Sequence, residues 1–269
     1  MKSNKVVTLA RPFLCRILLA GVCSASIIQV APTAFFSVAM AQNSIEATPA
    51  SLDAAWDHRS EIHSKISAFI ASKPKFGDDF EVAWRLARMV YYTGFFIDPS
   101  TTSNDLKMEI FKYGYEAAEK AIKLDPKRVE GHYWYGVNYG GYGLSKGIMA
   151  ALSGAEGMRA SLDEAVKIDP KYHYAGPLRV RGRLFFKLPG SFISFGDNKK
   201  AFADLKKAAE LAPESKLNYI YMSEVQAKLE GKAEAVKSLE KAKALPDVVG
   251  PTEESSYKRD IVELEKKFK

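Results

Sequence analysis

The side chains able to do chemistry are few, and their spacing does not assemble a catalytic or metal site. Four histidines, His58, His63, His132 and His173, are the candidate bases and metal ligands. No two stand at the i, i+4 spacing that sets a pair of imidazoles on one helical face, and no cysteine accompanies them, so they read as structural or surface residues. Ser255 and Lys258 form a Ser-x-x-Lys pair, but in a lysine-rich terminal helix without the companion motifs of acylating enzymes. The stretch GGYGLSKG, residues 140–147, is rich in glycine yet lacks the Gly-Lys-Ser/Thr ending that cradles a phosphate; it reads as an unwound connection. No catalytic residue, metal or cofactor is expected, and the chain reads as a binding protein rather than an enzyme.

Binding chemistry is better supplied. Tyr133, Trp134, Tyr135, Tyr139 and Tyr142 crowd one segment. Helical spacing turns Tyr135 and Tyr139 towards a partner helix as hairpin core. Trp134 and Tyr142 lie off that face and are the candidates for a groove wall, where an aromatic body with a polar tip suits ligand contact. Arg179 and Arg183, at i, i+4, place two guanidiniums on one face of an otherwise apolar helix, while Arg181 points elsewhere. A guanidinium fork suits a carboxylate, from a ligand, a partner or an intramolecular ion pair. Trp134, Tyr142, Arg179 and Arg183 are the expected ligand- or partner-binding residues.

The elements that must hold these residues announce themselves by repetition. Gly114/Ala118/Ala121 precede Pro126, Met158/Leu162/Ala165 precede Pro170, Ala201/Leu205/Ala208 precede Pro213, and Ala235/Leu239/Ala242 precede Pro246. Mostly small residues at i, i+4, i+7 let a neighbouring helix approach closely, and each proline then ends the helix. The pattern resembles the tetratricopeptide repeat. From Pro126 to Pro170 and from Pro170 to Pro213 the interval exceeds the repeat's usual period of about 34 residues, whereas Pro213 to Pro246 matches it. The expected fold is all-α: an α-solenoid of tetratricopeptide-like helical hairpins with two lengthened inter-helix connections, which in such proteins often lie on the binding face. A first helix is expected from Ser51 or Asp53 to about Ser72, and a last one from Pro251 to Phe268 covering the open end of the stack.

Residues 1–41 read as a targeting segment: Lys2, Lys5, Arg11 and Arg16 precede an uncharged stretch that closes on Ala39-Met40-Ala41. Cleavage after Ala41 is the reading. Lipidation at Cys23 and retention as an uncleaved anchor are the alternatives. Without residues 1–41 the net charge falls from +7 to +3, 35 basic residues against 32 acidic, and both cysteines are gone. That balance argues against nucleic acid as a partner. A linker at 42–52 and a single helical-repeat domain at 53–269 follow.

Within 80–248, the run AGPLRVRGRLFFKLPG followed by FGDNKKAFADLKKAAELAP is similar to the tetratricopeptide-type T component of bacterial tripartite ATP-independent periplasmic (TRAP) transporters. That family has an arginine-glycine helix, a Leu-Pro-Gly break and a Gly-Gly-Asp turn before a lysine-rich helix; here Phe195 replaces the first glycine of the turn. The resemblance implies a non-enzymatic periplasmic protein that forms a homotrimer, pairs with the transporter's solute-binding protein and receives a small hydrophobic or carboxylated ligand. An interaction scaffold of the cell envelope with no ligand is the second reading. A more distant similarity runs to the regulators of microtubule dynamics, which share the repeat but fit poorly behind an export signal.

Overall fold

A computed structural model describes residues 45–96, 102–190 and 192–269, and every regular element among them is an α-helix. Helix α1 (Pro49–Asp57) starts at a proline whose missing N–H leaves nothing unsatisfied, and Thr48 caps it by accepting the Ser51 N–H at 3.3 Å. It therefore begins inside the segment read as a linker. Helix α2 (His63–Ala71) is separate from it, so the single helix expected up to Ser72 is broken. The break has a cause: Arg59 folds inward to donate to the Trp56 carbonyl at 2.9 Å, while its own carbonyl accepts the Tyr92 hydroxyl at 3.0 Å.

Four hairpins follow: α3 (Phe80–Phe96) with α4 (Asn104–Leu124), α5 (Val129–Lys146) with α7 (Ala155–Ile168), α8 (Tyr172–Lys187) with α9 (Asn198–Leu211), and α10 (Lys216–Leu229) with α11 (Lys232–Ala244). Consecutive hairpins pack side by side. The ladder residues lie where the second helix of each hairpin crosses its neighbours, and all twelve are buried. Side-chain caps mark the starts: Asp79 accepts the Glu81 and Val82 N–H groups at 2.8 and 3.2 Å, and Asp197 those of Lys199 and Lys200 at 2.8 and 3.1 Å.

The two lengthened connections differ. The glycine-rich run is helical and not unwound: α5 continues through it to Lys146, and the chain breaks only at Gly147, whose φ of 106° favours glycine. The extra residues then form the short helix α6 (Ile148–Ser153). Between α8 and α9 the chain turns without a helix, and a β-carbon at Gly196 would collide with the Leu188 carbonyl, so glycine is required there.

Helix α12 (Pro251–Phe268) starts and ends as expected, but it does more than cover an end. It packs on α10 and α11 and also reaches α3. There Glu253 accepts from Arg59 Nε at 2.5 Å, and Thr252 Oγ1 lies 3.2 Å from the Tyr92 hydroxyl. Nearby, Tyr174 donates its hydroxyl to the Val248 carbonyl at 3.2 Å. The last element thus ties the fourth hairpin back to the first.

The start of α8 is irregular. His173, Tyr174 and Ala175 have φ of 49°, 60° and 57°, three consecutive left-handed residues without a glycine, before Pro177 opens the right-handed helix. Such residues cost on the order of 1 kcal/mol each and persist only where surroundings impose them. Here the turn buries His173 against Tyr133, whose hydroxyl lies 3.0 Å from His173 Nδ1. Burial, reinforced by the charges of Arg179, Arg88 and Arg59, lowers the imidazole pKa to about 3, so the ring is neutral when folded.

Two tests follow from the packing. Ala208 is fully inaccessible, packed with Ala175, Leu178 and Ala212. Ala208→Leu is expected to lower stability by about 1–3 kcal/mol in urea unfolding, and an unchanged midpoint would mean the helix register is wrong. His173 binds its proton near pH 6.5 when unfolded but not until about pH 3 when folded, so stability is lost as pH falls through that window. Between pH 6.5 and 5, above the carboxylate range, His173→Asn, a residue tolerated in the left-handed region, is expected to flatten this slope, leaving the part due to His63, whose pKa burial also lowers. An identical slope in the variant would mean that His173 titrates normally.

Candidate functional site

The concave side of the hairpins, closed by α12, holds a pocket of about 600 Å³. Its walls come from the end of α1 (Trp56) and the turn after it (Arg59), α3 (Trp84, Arg88, Tyr91), the left-handed turn of α8 with Arg179, the start of α10 (Lys216) and the first turns of α12 (Glu253, Glu254, Tyr257). Aromatic faces and charged tips alternate. The Arg59 and Arg88 guanidiniums lie 4.3 and 4.5 Å from the Trp56 ring centre, within cation–π range.

Most charges in this wall have partners. Arg59 pairs with Glu253, Arg88 with Asp53 at 2.7 Å, and Lys216 with Glu254 at 2.6 Å and with Asp247. Arg179 does not. Its Nη1 donates to the Tyr174 carbonyl at 2.8 Å and Asn218 Oδ1 at 3.1 Å, and its Nη2 to the His173 carbonyl at 3.3 Å and the Tyr133 hydroxyl at 3.4 Å. All four acceptors are neutral. Burial raises the pKa of the phenols of Tyr91, Tyr133, Tyr172 and Tyr257, so none of these supplies a counter-charge at neutral pH.

Arg179 is 4% exposed, and among the described residues it has no carboxylate partner. A buried ion without a counter-ion carries an effective penalty of several kcal/mol. Carbonyl dipoles of the left-handed turn offset part of this, and the remaining field opens onto the pocket. Counting the lining groups with their bonded partners, four cations (Arg59, Arg88, Arg179, Lys216) stand against four carboxylates (Asp53, Asp247, Glu253, Glu254), and Arg179 is the cation these pairs leave over. Glu253 Oε2 and Arg88 Nε are buried without a hydrogen-bond partner. The arrangement suits an anionic group with an apolar or aromatic body beside it. Among the described residues no group of histidines, cysteines or carboxylates could hold a metal.

Of the four residues expected from sequence, one lines this pocket: Arg179. Trp134 is fully buried one layer behind, its Nε1 donating to the Tyr172 hydroxyl at 3.1 Å and its ring against Tyr91 and His173. Tyr142 lies away from the pocket in an aromatic cluster with Tyr115 and Tyr139. Arg183 shares the face of Arg179 towards α10, but one turn further on, where it pairs with Glu224 and stacks over Tyr221 at 4.2 Å. Arg181 clasps two helices, with both Asp204 oxygens at 2.8 Å and Asp163 at 2.9 Å. Tyr135 and Tyr139, taken as core, are half-buried. Arg59, Arg88, Lys216 and Tyr172 were missed. The spacing of Trp84 and Arg88, a ring and a cation at i, i+4 on an apolar helix, was a signal of the kind that drew attention to Arg179.

The family model of regulator of microtubule dynamics protein 1-3 matches residues 50–188, from α1 to the end of α8. Regulator of microtubule dynamics protein 3 of Rattus norvegicus is 26% identical over 230 residues, covering 77% of this chain and 46% of that protein. Protein 2 of Homo sapiens is 28% identical over 200 residues, covering 68% and 47%. The chain spans about half the length of these relatives. In fold it is similar to TTC0263, a thermophilic TPR protein of Thermus thermophilus, with a TM-score of 0.52 at 16% identity over 86% of this chain and 95% of that one.

These findings overturn the transport reading. The Leu188-Pro189-Gly190 break and the Gly196-Asp197 turn that carried it serve the fold here, through a close backbone approach and a helix cap, and they identify no transporter. The solute-binding partner, the homotrimer and the small transported ligand go with it. So does the periplasmic location, since the rat and human relatives come from cells without a periplasm. The export leader at 1–41 and the lipidation site at Cys23 lie outside the described residues, and the leader conflicts with the same relatives. The more distant of the two resemblances is the one the residues support: this chain belongs to the regulator of microtubule dynamics protein 1-3 family.

Proposed function

We propose that the chain is a non-enzymatic partner-binding module whose α12-closed groove receives an acidic segment of a protein partner. The observation that carries this reading is Arg179, a buried guanidinium without a counter-ion among the described residues, facing a pocket large enough for several side chains. Arg88 and Lys216 border the same pocket, so a carboxylate seated there meets cations from three hairpins, and Trp56, Trp84 and Tyr91 offer faces for an adjoining aromatic residue. Tetratricopeptide-like solenoids suit such a task, because stacked hairpins present a preformed concave surface. The relatives' name makes microtubule dynamics the process in which this binding is expected to act.

The test is fluorescence anisotropy with a labelled, end-capped peptide carrying three glutamates and one phenylalanine, against the same peptide with lysines in place of glutamates. The acidic peptide is expected to bind and the basic one not. Arg179→Met should weaken binding at least tenfold, because removing one member of a buried charge pair costs at least about 2 kcal/mol. Equal binding of both peptides, or unchanged affinity in a variant whose circular dichroism matches the parent, overturns the reading. In a turbidity assay of tubulin polymerisation, the parent chain is expected to change the assembly rate and Arg179→Met to have less effect.

A further inference from the structure

In a stack of hairpins, every turn from a first helix into its second lies along one edge. Among the described residues, the four large apolar side chains more than 70% exposed, Leu144 (72%), Met149 (76%), Phe192 (106%) and Ile193 (71%), all lie there, at the two lengthened connections. Phe95, at the end of α3, and Leu229, at the end of α10, are also exposed on this edge. The edge is continuous. Leu152 of α6 and Phe195 of the α8–α9 turn pack on one cluster with Leu188, and Lys228 at the end of α10 sits 4.7 Å from the ring centre of Phe186.

Charge at the two lengthened connections is one-sided. Residues 140–155 and 185–196 contain no aspartate or glutamate. Lys146 bonds only the Tyr142 hydroxyl, at 2.6 Å, and Lys199, Lys200 and Lys228 make no ion pair among the described residues. Of the acids nearest by, Asp197 is occupied capping α9, Glu156 is paired with Arg159 at 2.6 Å and Glu224 with Lys187 at 3.2 Å, while Glu230, exposed beside Leu229, accepts from Gln226 at 3.0 Å. Leu144 and Met149 rise from one connection and Phe192 and Ile193 from the next, and none of the four lines the pocket under α12. Exposed apolar tips beside lysines that make no ion pair among the described residues match a lipid surface, where the tips enter the acyl boundary and the ammonium groups meet anionic headgroups.

We propose that this edge docks on an anionic membrane, with Leu144, Met149, Phe192 and Ile193 entering the headgroup–acyl boundary and Lys146, Lys199, Lys200 and Lys228 facing the headgroups. The inference is independent of the groove and its acidic partner. It is tested on the full chain with vesicles of phosphatidylcholine containing phosphatidylserine, or of phosphatidylcholine alone, read by flotation and by hydrogen–deuterium exchange. Expected are protection of the peptides carrying Leu144 and Met149 and of those carrying Phe192 and Ile193 on the anionic vesicles only, and its loss in high salt. The exposed double change Phe192→Ser with Ile193→Ser, and separately Lys199→Glu with Lys200→Glu, should each weaken this protection at least tenfold in lipid concentration. Flotation without protection of these peptides, equal protection on neutral vesicles, or an unchanged double variant overturns the proposal. Protection that grows with protein concentration in the absence of lipid assigns the edge to a second copy and overturns it as well.

Discussion

Close approach between helices is the constraint from which the rest of this molecule follows. The second helix of each hairpin carries mostly alanine where it crosses its neighbours, with Ala121, Ala165, Ala208 and Ala242 all fully inaccessible. At such crossings a larger side chain would push the axes apart, and in a solenoid each hairpin is positioned by its neighbours alone. The accumulated rotation brings the end of the fourth hairpin back towards the first. There α12 can bridge them, through Arg59–Glu253 and the contact of Tyr92 with Thr252. A few ångströms of extra spacing per crossing would leave these groups apart and the groove open.

Closure changes the electrostatics of what lies inside. Arg181 and Arg183, on the same helix as Arg179, spend their charge on Asp204, Asp163 and Glu224 at partly exposed sites, where ion pairs mainly fix geometry. Arg179 lies where no carboxylate of the described residues reaches it. It is held by backbone carbonyls that point inward only because His173, Tyr174 and Ala175 adopt a left-handed turn. Strain in the backbone, an unpaired cation and a neutral buried histidine therefore occur together around one pocket. The strained turn and the unpaired cation each carry a cost that packing alone does not require, and all three features border one pocket.

The transport resemblance failed for an instructive physical reason. Its most specific residues, Leu188-Pro189-Gly190 and Gly196-Asp197, turn the chain between α8 and α9 with the least backbone clash and then cap a helix. Turn geometry recurs wherever two helices meet at this spacing, so matching it says how the chain folds and little about what it binds. The family match runs over helices α1 to α8 instead, including α3, which supplies much of the groove wall.

The ladder spacing and the prolines are local properties, and from them the sequence alone determined an all-helical stack, the buried crossings, the helix from Pro251 to Phe268 and the two lengthened connections. Its errors were local too: the glycine-rich run stayed helical because tertiary packing compensates for weak propensity, and the first helix broke because Arg59 found partners inside. The site belongs to the other category. Arg179 was legible as a cation on an apolar helix. Its lack of a counter-ion was not, because that depends on where Glu253, Glu254 and Asp204 end up, on helices far from it in sequence. Trp134 and Tyr142 were drawn as one wall from helical spacing, yet one lies beneath the pocket and the other at the edge, since spacing gives a direction from the helix axis and says nothing of what stands there. Which face becomes an interior is decided by superhelical closure, a sum over all hairpins that no single stretch of sequence contains.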